Sequence, residues 1–497
     1  MPLQKTSTSE PHSHSARRVG IIDIGSNSMR LVVYDALKRS PVPLYNEKVM
    51  CQLGRGLSST GRLNPEGVAM ARGVMRRFLA MAHNMSAANL HVMATAAVRD
   101  AKDGKVFADS LSAEHGIEIE IISGDREARL GAYGVCGSIH QPSGITGDLG
   151  GGSMELVRLK NQQFMEHVTL PIGPLRLIDE TRGKRQDLRK HIHRAFSSAK
   201  WLKDAQPKDF YAIGGSFRSI ARLHMALTGY PLRILHQYTV DAQEFAAFTG
   251  ELASLSDEKI EKLPTIAAKR ASLIVPAAMI LEHVVRAMQP ERIVFSASGV
   301  REGYLYEKLP PDIRRQDALI AACSDLVDRN RPYSPYASEL MQWMQPLFER
   351  REPDDFRRLR QAFCMLSDIA HHIHPEYRAE WAMQRILQSA FTGLSHRERV
   401  QLALALYHRY QFKVKEDAAL WSMLPGKSRH WARLVGATAN LAYHLTGGVE
   451  GTLPHCALTV EKNDVRITLA AEAQALMGEA IVKRIGGLEE AWKKWAD

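Results

Sequence analysis

The feature that most limits what this chain can fold into is an acid followed by three glycines. Ile145 to Leu149 leads into Asp148-Leu149-Gly150-Gly151-Gly152-Ser153, and Met154 to Leu159 leads out, with Glu155 just beyond the turn. The pattern reads as strand, glycine turn, strand. Three glycines free the backbone for positive φ and remove every Cβ that would keep a ligand away. Such a turn can present successive N–H groups to an anion. Asp148 and Glu155 flank it, and two carboxylates beside a phosphate point to a divalent cation.

A second copy separates this from an ordinary flexible hairpin. Val19 to Ile22 precedes Asp23-Ile24-Gly25-Ser26-Asn27-Ser28, and Met29 to Tyr34 follows. Two Asp-x-Gly hairpins far apart in one chain predict two related domains that clamp a polyphosphate-like group. Neither is a P-loop, because no Gly-Lys-Ser/Thr and no immediate helix follow.

These two motifs, with Ile122-Ser-Gly-Asp-Arg-Glu-Ala-Arg-Leu130 between them, resemble the exopolyphosphatase and guanosine pentaphosphate phosphohydrolase family. The likeness continues through Ala212-Ile-Gly-Gly-Ser-Phe-Arg218 and Ser298-Gly-Val-Arg-Glu-Gly303. It covers about the first three-fifths of the chain; the rest matches more loosely. The family sits within the actin-like, sugar-kinase and heat-shock-ATPase superfamily. The resemblance therefore implies an α/β protein of two actin-like domains with a crevice between them, followed by a mostly α-helical, HD-like C-terminal region.

Composition is consistent with this. A length of 497 residues suggests about three or four domains. An apolar content of 45% suffices for large cores. No unbroken apolar run of membrane-spanning length is evident. The five cysteines are scattered without a CxxC, which argues against a disulfide framework or structural zinc and for the cytoplasm. A net charge of +11 suits a polyanionic partner. No aromatic or zinc module for nucleic acid is present, and neither nucleic acid nor membrane is an expected partner.

The expected division is a disordered, Ser-, His- and Pro-rich tail over 1–17, a first actin-like domain over 18–135, a second over 136–309, and the helical region over 310–497, with room for two subdomains. In the first domain, a helix starts at Asn64-Pro65, Asn capping and Pro at the first position. Strands end before Thr95-Ala-Ala-Val-Arg99 and before Ser123-Gly124. Alternating strands and helices indicate α/β. Pro310-Pro311 marks a change to helical patterning.

Glu127 opens the helix that starts at about Asp125. On its residues alone it reads as a helix-favouring surface glutamate. The resemblance implies instead the general base that activates water. The family usually carries two adjacent glutamates here; this chain has Arg126-Glu127, keeping the second. Arg126 either lowers its neighbour's pKa or contacts anionic substrate. The resemblance implies phosphate contacts from Ser26, Asn27, Ser28, Arg55, Arg99, Gly150, Gly151, Gly152 and Ser153. Gly214, Gly215 and Ser216 form a third glycine turn leading into a helix, suited to another phosphate. Asp23, Asp148 and Glu155 are the expected Mg²⁺ ligands, direct or through water, with K⁺ as a candidate activator.

In the helical region the His-Asp pair of HD enzymes is degraded to Ser367-Asp368. The nearby His371, His372 and His374 do not complete a metal-ligand set. His396, Arg397, Arg399, His408, Arg409, Lys413, Lys415, Lys427, Arg429 and Arg433 read either as a track for anionic substrate or as a solvated helix face. The expected activity is exopolyphosphatase, acting on linear inorganic polyphosphate. The alternatives are a guanosine pentaphosphate 5′-phosphohydrolase and a non-catalytic regulator that binds polyphosphate or guanosine tetra- and pentaphosphate. A superfamily kinase is disfavoured by the Glu-Ala-Arg-Leu stretch. The family resemblance also implies a homodimer.

Overall fold

The computed structural model describes residues 18–267, 270–328, 336–349, 352–411, 418–461 and 464–496. The expected tail over 1–17, and Lys413 and Lys415, lie outside the described residues.

The first sheet contains β1 (Arg18–Ile24), β2 (Met29–Tyr34), β3 (Pro43–Val49), β4 (Ala87–Ala94) and β5 (Ile119–Ile121), in the order β3-β2-β1-β4-β5. β1 pairs antiparallel with β2 and parallel with β4, and is covered on both faces. That is why it reads as an unbroken apolar run rather than an alternating one. The helix Pro65–Asn84 lays Ala71, Val74, Met75, Phe78 and Ala82 on this sheet, residues three or four apart. Pro65 stands at its first turn as expected, but Asn64 makes no side-chain cap and donates instead to the Gln52 carbonyl.

The second sheet contains β6 (Gly144–Leu149), β7 (Met154–Lys160), β8 (Gln163–Leu170), β9 (Asp209–Gly214), β10 (Tyr238–Asp241) and β11 (Arg292–Phe295), in the order β10-β11-β9-β6-β7-β8. Read from β8 to β11, it repeats the first sheet: two antiparallel pairings, then two parallel ones. The duplication expected from the two hairpins is thus present, with β10 added at one edge. The sequence reading passed over β8, an edge strand with most residues exposed.

It also passed over the helix Ala271–Met288. By length and composition this helix could cross a membrane, but 72% of it is buried inside the fold. Glu282, His283 and Arg286 interrupt the apolar run. A helix apolar nearly all round shows no amphipathic period. It packs on Arg185–Ser198, Gly215–Leu227 and Ala242–Ser254.

The two sheets meet through a pair of helices, Gly124–Ser138 and Val300–Lys308, that cross at backbone contact. A Cβ on Gly303 would lie 1.8 Å from the Leu130 carbonyl oxygen, and one on Gly134 would lie 2.3 Å from that of Gly299. On one side the pair is sealed by Val19, Ile21, Met93, Leu130 and Leu305. On the other it is sealed by Ala128, Val135, Val157, Ile213 and Tyr306. The boundaries read at 135/136 and 309 therefore fall at a shared element: Val300–Lys308, assigned to the second domain, packs on both sheets.

The C-terminal region is mostly helical. Its core joins Ala318–Asp328, Asp354–Leu366, Arg378–Gln388, His396–Tyr410, Gly426–Thr446 and Glu479–Ala496 around Trp431, Phe363 and Leu402, with a hairpin of β12 (Cys456–Glu461) and β13 (Asp464–Leu469) at its edge. All five cysteines are free and buried. The basic residues expected to form one face do not. His396, Arg399, His408 and Arg409 are buried. Arg399 donates to the carbonyls of Ile386, Ser389 and Phe391, closing the end of the preceding helix. Near Ser367-Asp368, and elsewhere among the described residues, no three His, Cys, Asp or Glu side chains converge as metal ligands.

Two histidines fasten this region to the second sheet. His396 Nε2 donates to the His236 carbonyl at 3.0 Å, and its Nδ1 accepts from Tyr230 Oη at 2.9 Å. His236 Nε2 in turn donates to the Ser138 carbonyl at 3.1 Å. Burial pushes both imidazoles down to about 4. Neutral rings are stabilised, so this contribution is complete above pH 6.5 and is lost as pH falls toward 4. Thermal melts should show stability falling between pH 7 and pH 5, by up to about 2 kcal/mol from His396, and His396→Gln should flatten that slope. Gly303→Val should lower stability by about 3 kcal/mol or more in denaturant unfolding, because backbone has to move to admit the side chain.

Candidate active site

β1 and β6 each end beside a parallel strand of their sheet, where α/β folds place ligands, and the turns after both line one crevice. Each acid-glycine turn closes with the same bond: Gly25 N–H donates to the Ser28 carbonyl at 3.0 Å, and Gly150 N–H to that of Ser153 at 2.9 Å. The hairpin registers set what faces what. Asp23 stands opposite Arg30, and Asp148 opposite Glu155. Between the hairpins lies a crevice of about 180 Å³, lined by Asp23, Ser26, Asn27, Ser28, Glu127 and Asp148, by Gly150, Gly151 and Ser153, and by Gly214, Gly215 and Ser216.

The triple glycine does not supply the positive φ expected of it. None of Gly150, Gly151 and Gly152 has positive φ. A Cβ on Gly151 would lie 3.1 Å from both Ser26 Cβ and Leu175 Cδ1, and one on Gly173 would lie 2.3 Å from Gly151 backbone atoms. Close approach of the other hairpin and of the following segment crowds a side chain at Gly151, while a Cβ on Gly150 or Gly152 would meet only ordinary contacts at 3.4 and 3.6 Å. Gly214 is the turn residue that needs positive φ, at 112°, and its Cβ would meet the Leu149 carbonyl at 2.4 Å.

Glu127 is 7% exposed, in the first turn of Gly124–Ser138, which Ser123 caps by accepting from Arg126 N–H. Its Oε2 accepts from Arg99 Nη1 at 2.8 Å. Burial pushes its carboxyl up to about 7; Arg99 pulls it back, while Asp148 and Asp23 add to the rise. Burial likewise lifts Asp148 to about 6, opposed by Arg218. Glu155 is raised by burial and then by Glu127. Its Oε1 accepts from Ser153 Oγ at 2.5 Å, and its buried Oε2 has no partner.

Facing these acids are cations the sequence reading left out of the site: Arg30 and Lys48 from the first sheet, and Arg218, Arg270 and Arg301 from the second half. Arg218 donates to the Gly214 and Ala297 carbonyls, and Arg270 to the Gly215 carbonyl and Ser219 Oγ. Arg301 Nη1 reaches Asp23 Oδ2 at 3.0 Å, and its neighbour Glu302 is held by Tyr34 Oη and Gly299 N–H. Burial, then Arg301 and Arg30, lower Arg218 to about 10. Burial, then Arg270 and Arg218, lower Lys48 to about 7, a shift moderated by the solvent that still reaches its side chain. Arg218 and Arg301 stood inside quoted motifs; Arg30, Lys48 and Arg270 carried no signal that single residues could give.

Some expected site residues lie elsewhere. Arg99 is committed to Glu127, Asp100 and the Ile122 carbonyl and does not line the crevice, so it is a positioning residue for Glu127. Arg55 is exposed on a loop outside the crevice. Gly152 packs toward Ala96 and Ser26, behind the wall. Arg126 pairs with Glu307 and Glu120, away from Glu127, so it neither lowers that carboxyl nor faces substrate. Mutually repelling acids with one orphaned buried oxygen suit a divalent cation. Since no three ligands converge among the described residues, the donor set fits Mg²⁺ held largely through water and substrate oxygens.

The profile of the Ppx/GppA phosphatase family matches residues 32–312, and that of the exopolyphosphatase C-terminal region matches residues 319–494. The chain belongs to the Ppx/GppA phosphatase family. Retrograde regulation protein 2 of Saccharomyces cerevisiae is 26% identical over 467 residues, 85% of this chain and 77% of that protein. Exopolyphosphatase 1 of Mycobacterium bovis is 28% identical over 306 residues, 59% of this chain and 88% of its own length. The solved exopolyphosphatase of Cytophaga hutchinsonii superposes with a TM-score of 0.54 at 24% identity, covering 58% of this chain and 97% of that one. The Ppx/GppA fold thus accounts for the two sheets and their crevice.

A polyanion entering the crevice favours charged Lys48 and should draw protons from solvent. In a Glu127→Gln background at pH 7.5, calorimetry in buffers of different ionisation enthalpy should show uptake of a fraction of a proton per inorganic tripolyphosphate bound. Lys48→Met should bind without uptake and about tenfold more weakly, the loss of one charge-assisted phosphate contact.

Proposed function

We propose that this Ppx/GppA member is a cytoplasmic exopolyphosphatase that hydrolyses terminal orthophosphate from linear inorganic polyphosphate. The observation that carries the reading is the composition of the crevice: Asp23, Glu127 and Asp148 line it together with Arg30, Lys48, Arg218, Arg270 and Arg301. A lone phosphate does not need that many cations; a row of phosphates does. Guanosine pentaphosphate would also need a surface for its base, and among the described residues no aromatic side chain lines the crevice. Retention of Glu127, Asp148 and Glu155 counts against a regulator without turnover.

In this reading the terminal phosphoryl group lies against the Ser26–Ser28 turn and the Gly150–Ser153 turn, and the rest of the chain runs along the arginines. Glu127 holds a water and takes its proton as the water attacks phosphorus in line with the departing bridging oxygen. Its raised pKa, near 7, makes it a better proton acceptor than an ordinary carboxylate while leaving it largely ionised above neutrality. Arg99 orients it and keeps the pKa from rising further. Asp23, Asp148 and Glu155 would hold Mg²⁺, which when bound neutralises charge on the phosphoryl oxygens, with K⁺ stimulating. Positioning and charge neutralisation supply most of the acceleration in such a reaction.

Purified protein with Mg²⁺ should release orthophosphate from long-chain polyphosphate at least ten times faster than from guanosine pentaphosphate or ATP. Preference for the pentaphosphate would overturn the substrate, and no release from any of them would overturn the activity. Glu127→Gln should lower kcat by about 10³-fold and leave tripolyphosphate affinity within about twofold. Arg99→Met should move the acid limb of the kcat profile upward by about one pH unit, because a carboxyl stripped of its cation deprotonates later. An unmoved limb would remove Glu127 from the base role.

A further inference from the structure

Arg176 stands on the short helix Pro174–Thr181, in the second half of the chain. Its backbone and its side chain serve different halves. The N–H groups of Leu175 and Arg176 donate to the Gly151 carbonyl, at 3.0 and 3.4 Å, and hold the helix start to the second glycine turn. The Arg176 side chain crosses to the first half, where Nη2 donates to Asp100 Oδ2 at 2.6 Å. Nearly one turn further along the helix, Asp179 Oδ2 accepts from the Gly56 N–H at 2.9 Å. The helix is thus strapped to the first half at both positions.

Asp100 passes the contact on. While its Oδ2 takes Arg176, its Oδ1 accepts from Arg99 Nε at 3.3 Å. Arg99 Nη1 then donates to the Ile122 carbonyl at 3.1 Å and to Glu127 Oε2 at 2.8 Å. Arginine presents its donors in a rigid planar fork, so holding Nε fixes where Nη1 points. A carboxylate shared between two guanidiniums also pulls less on each. Without Arg176, Asp100 would turn its whole charge toward Arg99, on a side chain free to rotate, and compete with Glu127 for it.

An arginine 24% exposed, paired with an aspartate 34% exposed, is on that ground alone an ordinary surface ion pair. Where the pair leads sets it apart. A surface pair ends at its carboxylate, whereas this one continues through a shared acid to the carboxylate at the reacting centre. Nor is Arg176 placed to touch substrate. Neither it nor Asp100 lines the crevice. Arg176 borders instead a gap of about 20 Å³ behind the glycine turn, beside Ser26, Gly152 and Leu175, with room for a water and not for a phosphate.

We propose that Arg176 is a positioning residue for Glu127, acting from the opposite half of the protein through Asp100 and Arg99. It has that role only if the crevice hydrolyses phosphoanhydrides with Glu127 as base, as proposed above. The Arg176 backbone is fixed to the Gly150–Ser153 turn, so the relay ties the orientation of the base to the position of the turn against which the phosphoryl group lies.

The test is steady-state release of orthophosphate from long-chain polyphosphate with Mg²⁺, by full-length protein carrying Arg176→Met, Arg99→Met or both. Arg176→Met should lower kcat about tenfold, with KM within about twofold of the parent. It should melt with the parent, since part-exposed ion pairs add little to stability. In the Arg99→Met background, Arg176→Met should change kcat by less than about twofold, because the route to Glu127 is already cut. Equal losses in the two backgrounds would overturn the proposal and leave Arg176 as a strap that acts without Arg99. A raised KM at unchanged kcat would also overturn it, since Arg176 would then be binding substrate, as would a kcat and KM equal to the parent's. No release by the parent itself would defeat the hydrolytic reading and this role with it.

Discussion

The contact on which the rest depends is the crossing of Gly124–Ser138 with Val300–Lys308, at Gly134, Gly299 and Gly303. Backbone meets backbone there, with no side chain between. One helix carries Glu127 at its start and the other carries Arg301 and Glu302. The crossing therefore fixes an acid from one half and a cation from the other at a set spacing below the two hairpins. Arg301 then reaches Asp23, across more than half the sequence, and ties the second half to the first glycine turn.

Around that frame the electrostatics are arranged as two unstable groups that stabilise each other only in part. Burial aside, Asp148 and Asp23 raise the pKa of Glu127, and Glu127 and Asp148 raise that of Glu155; Arg301 lowers Arg30, Arg301 and Arg30 lower Arg218, and Arg270 and Arg218 lower Lys48, whereas Arg301 itself is raised by Glu302 and Asp23. Apart from Arg99 with Glu127 and Arg301 with Asp23, acids and cations are not consumed in pairs. A crevice left with unmatched charge of both signs is suited to a ligand that brings phosphates to the cations and a cation to the acids. A fold selected for stability alone would pair them.

Much of this was legible in the sequence, for identifiable reasons. The two hairpins carry period, turn and acid within ten residues, so local chemistry suffices to place Asp23, Asp148 and Glu155. Glu127 needed the family resemblance, since a glutamate at a helix start has a sufficient local explanation. The cationic wall was not legible: Arg30, Lys48, Arg218, Arg270 and Arg301 are brought together only by the clamp of two sheets. The basic run from His396 to Arg433 misled for the converse reason. Charge in a sequence says nothing about burial, and Arg399 serves carbonyls inside the fold. Of the two roles read for the glycines at 150–152, positive φ is absent; the demand for a left-handed residue and the demand for a bare backbone leave the same mark on a sequence.

The buried helix Ala271–Met288 has a consequence for how the chain is made. As it leaves the ribosome it has the mean hydropathy of a membrane segment, with only Glu282, His283 and Arg286 near its end to set it apart. The helices it packs on, Arg185–Ser198, Gly215–Leu227 and Ala242–Ser254, all precede it in the sequence. Vectorial synthesis thus presents the cover before the segment that needs covering. Circular permutants that place this segment ahead of its partners would reverse that order and expose it to aggregation or misdirected insertion during translation.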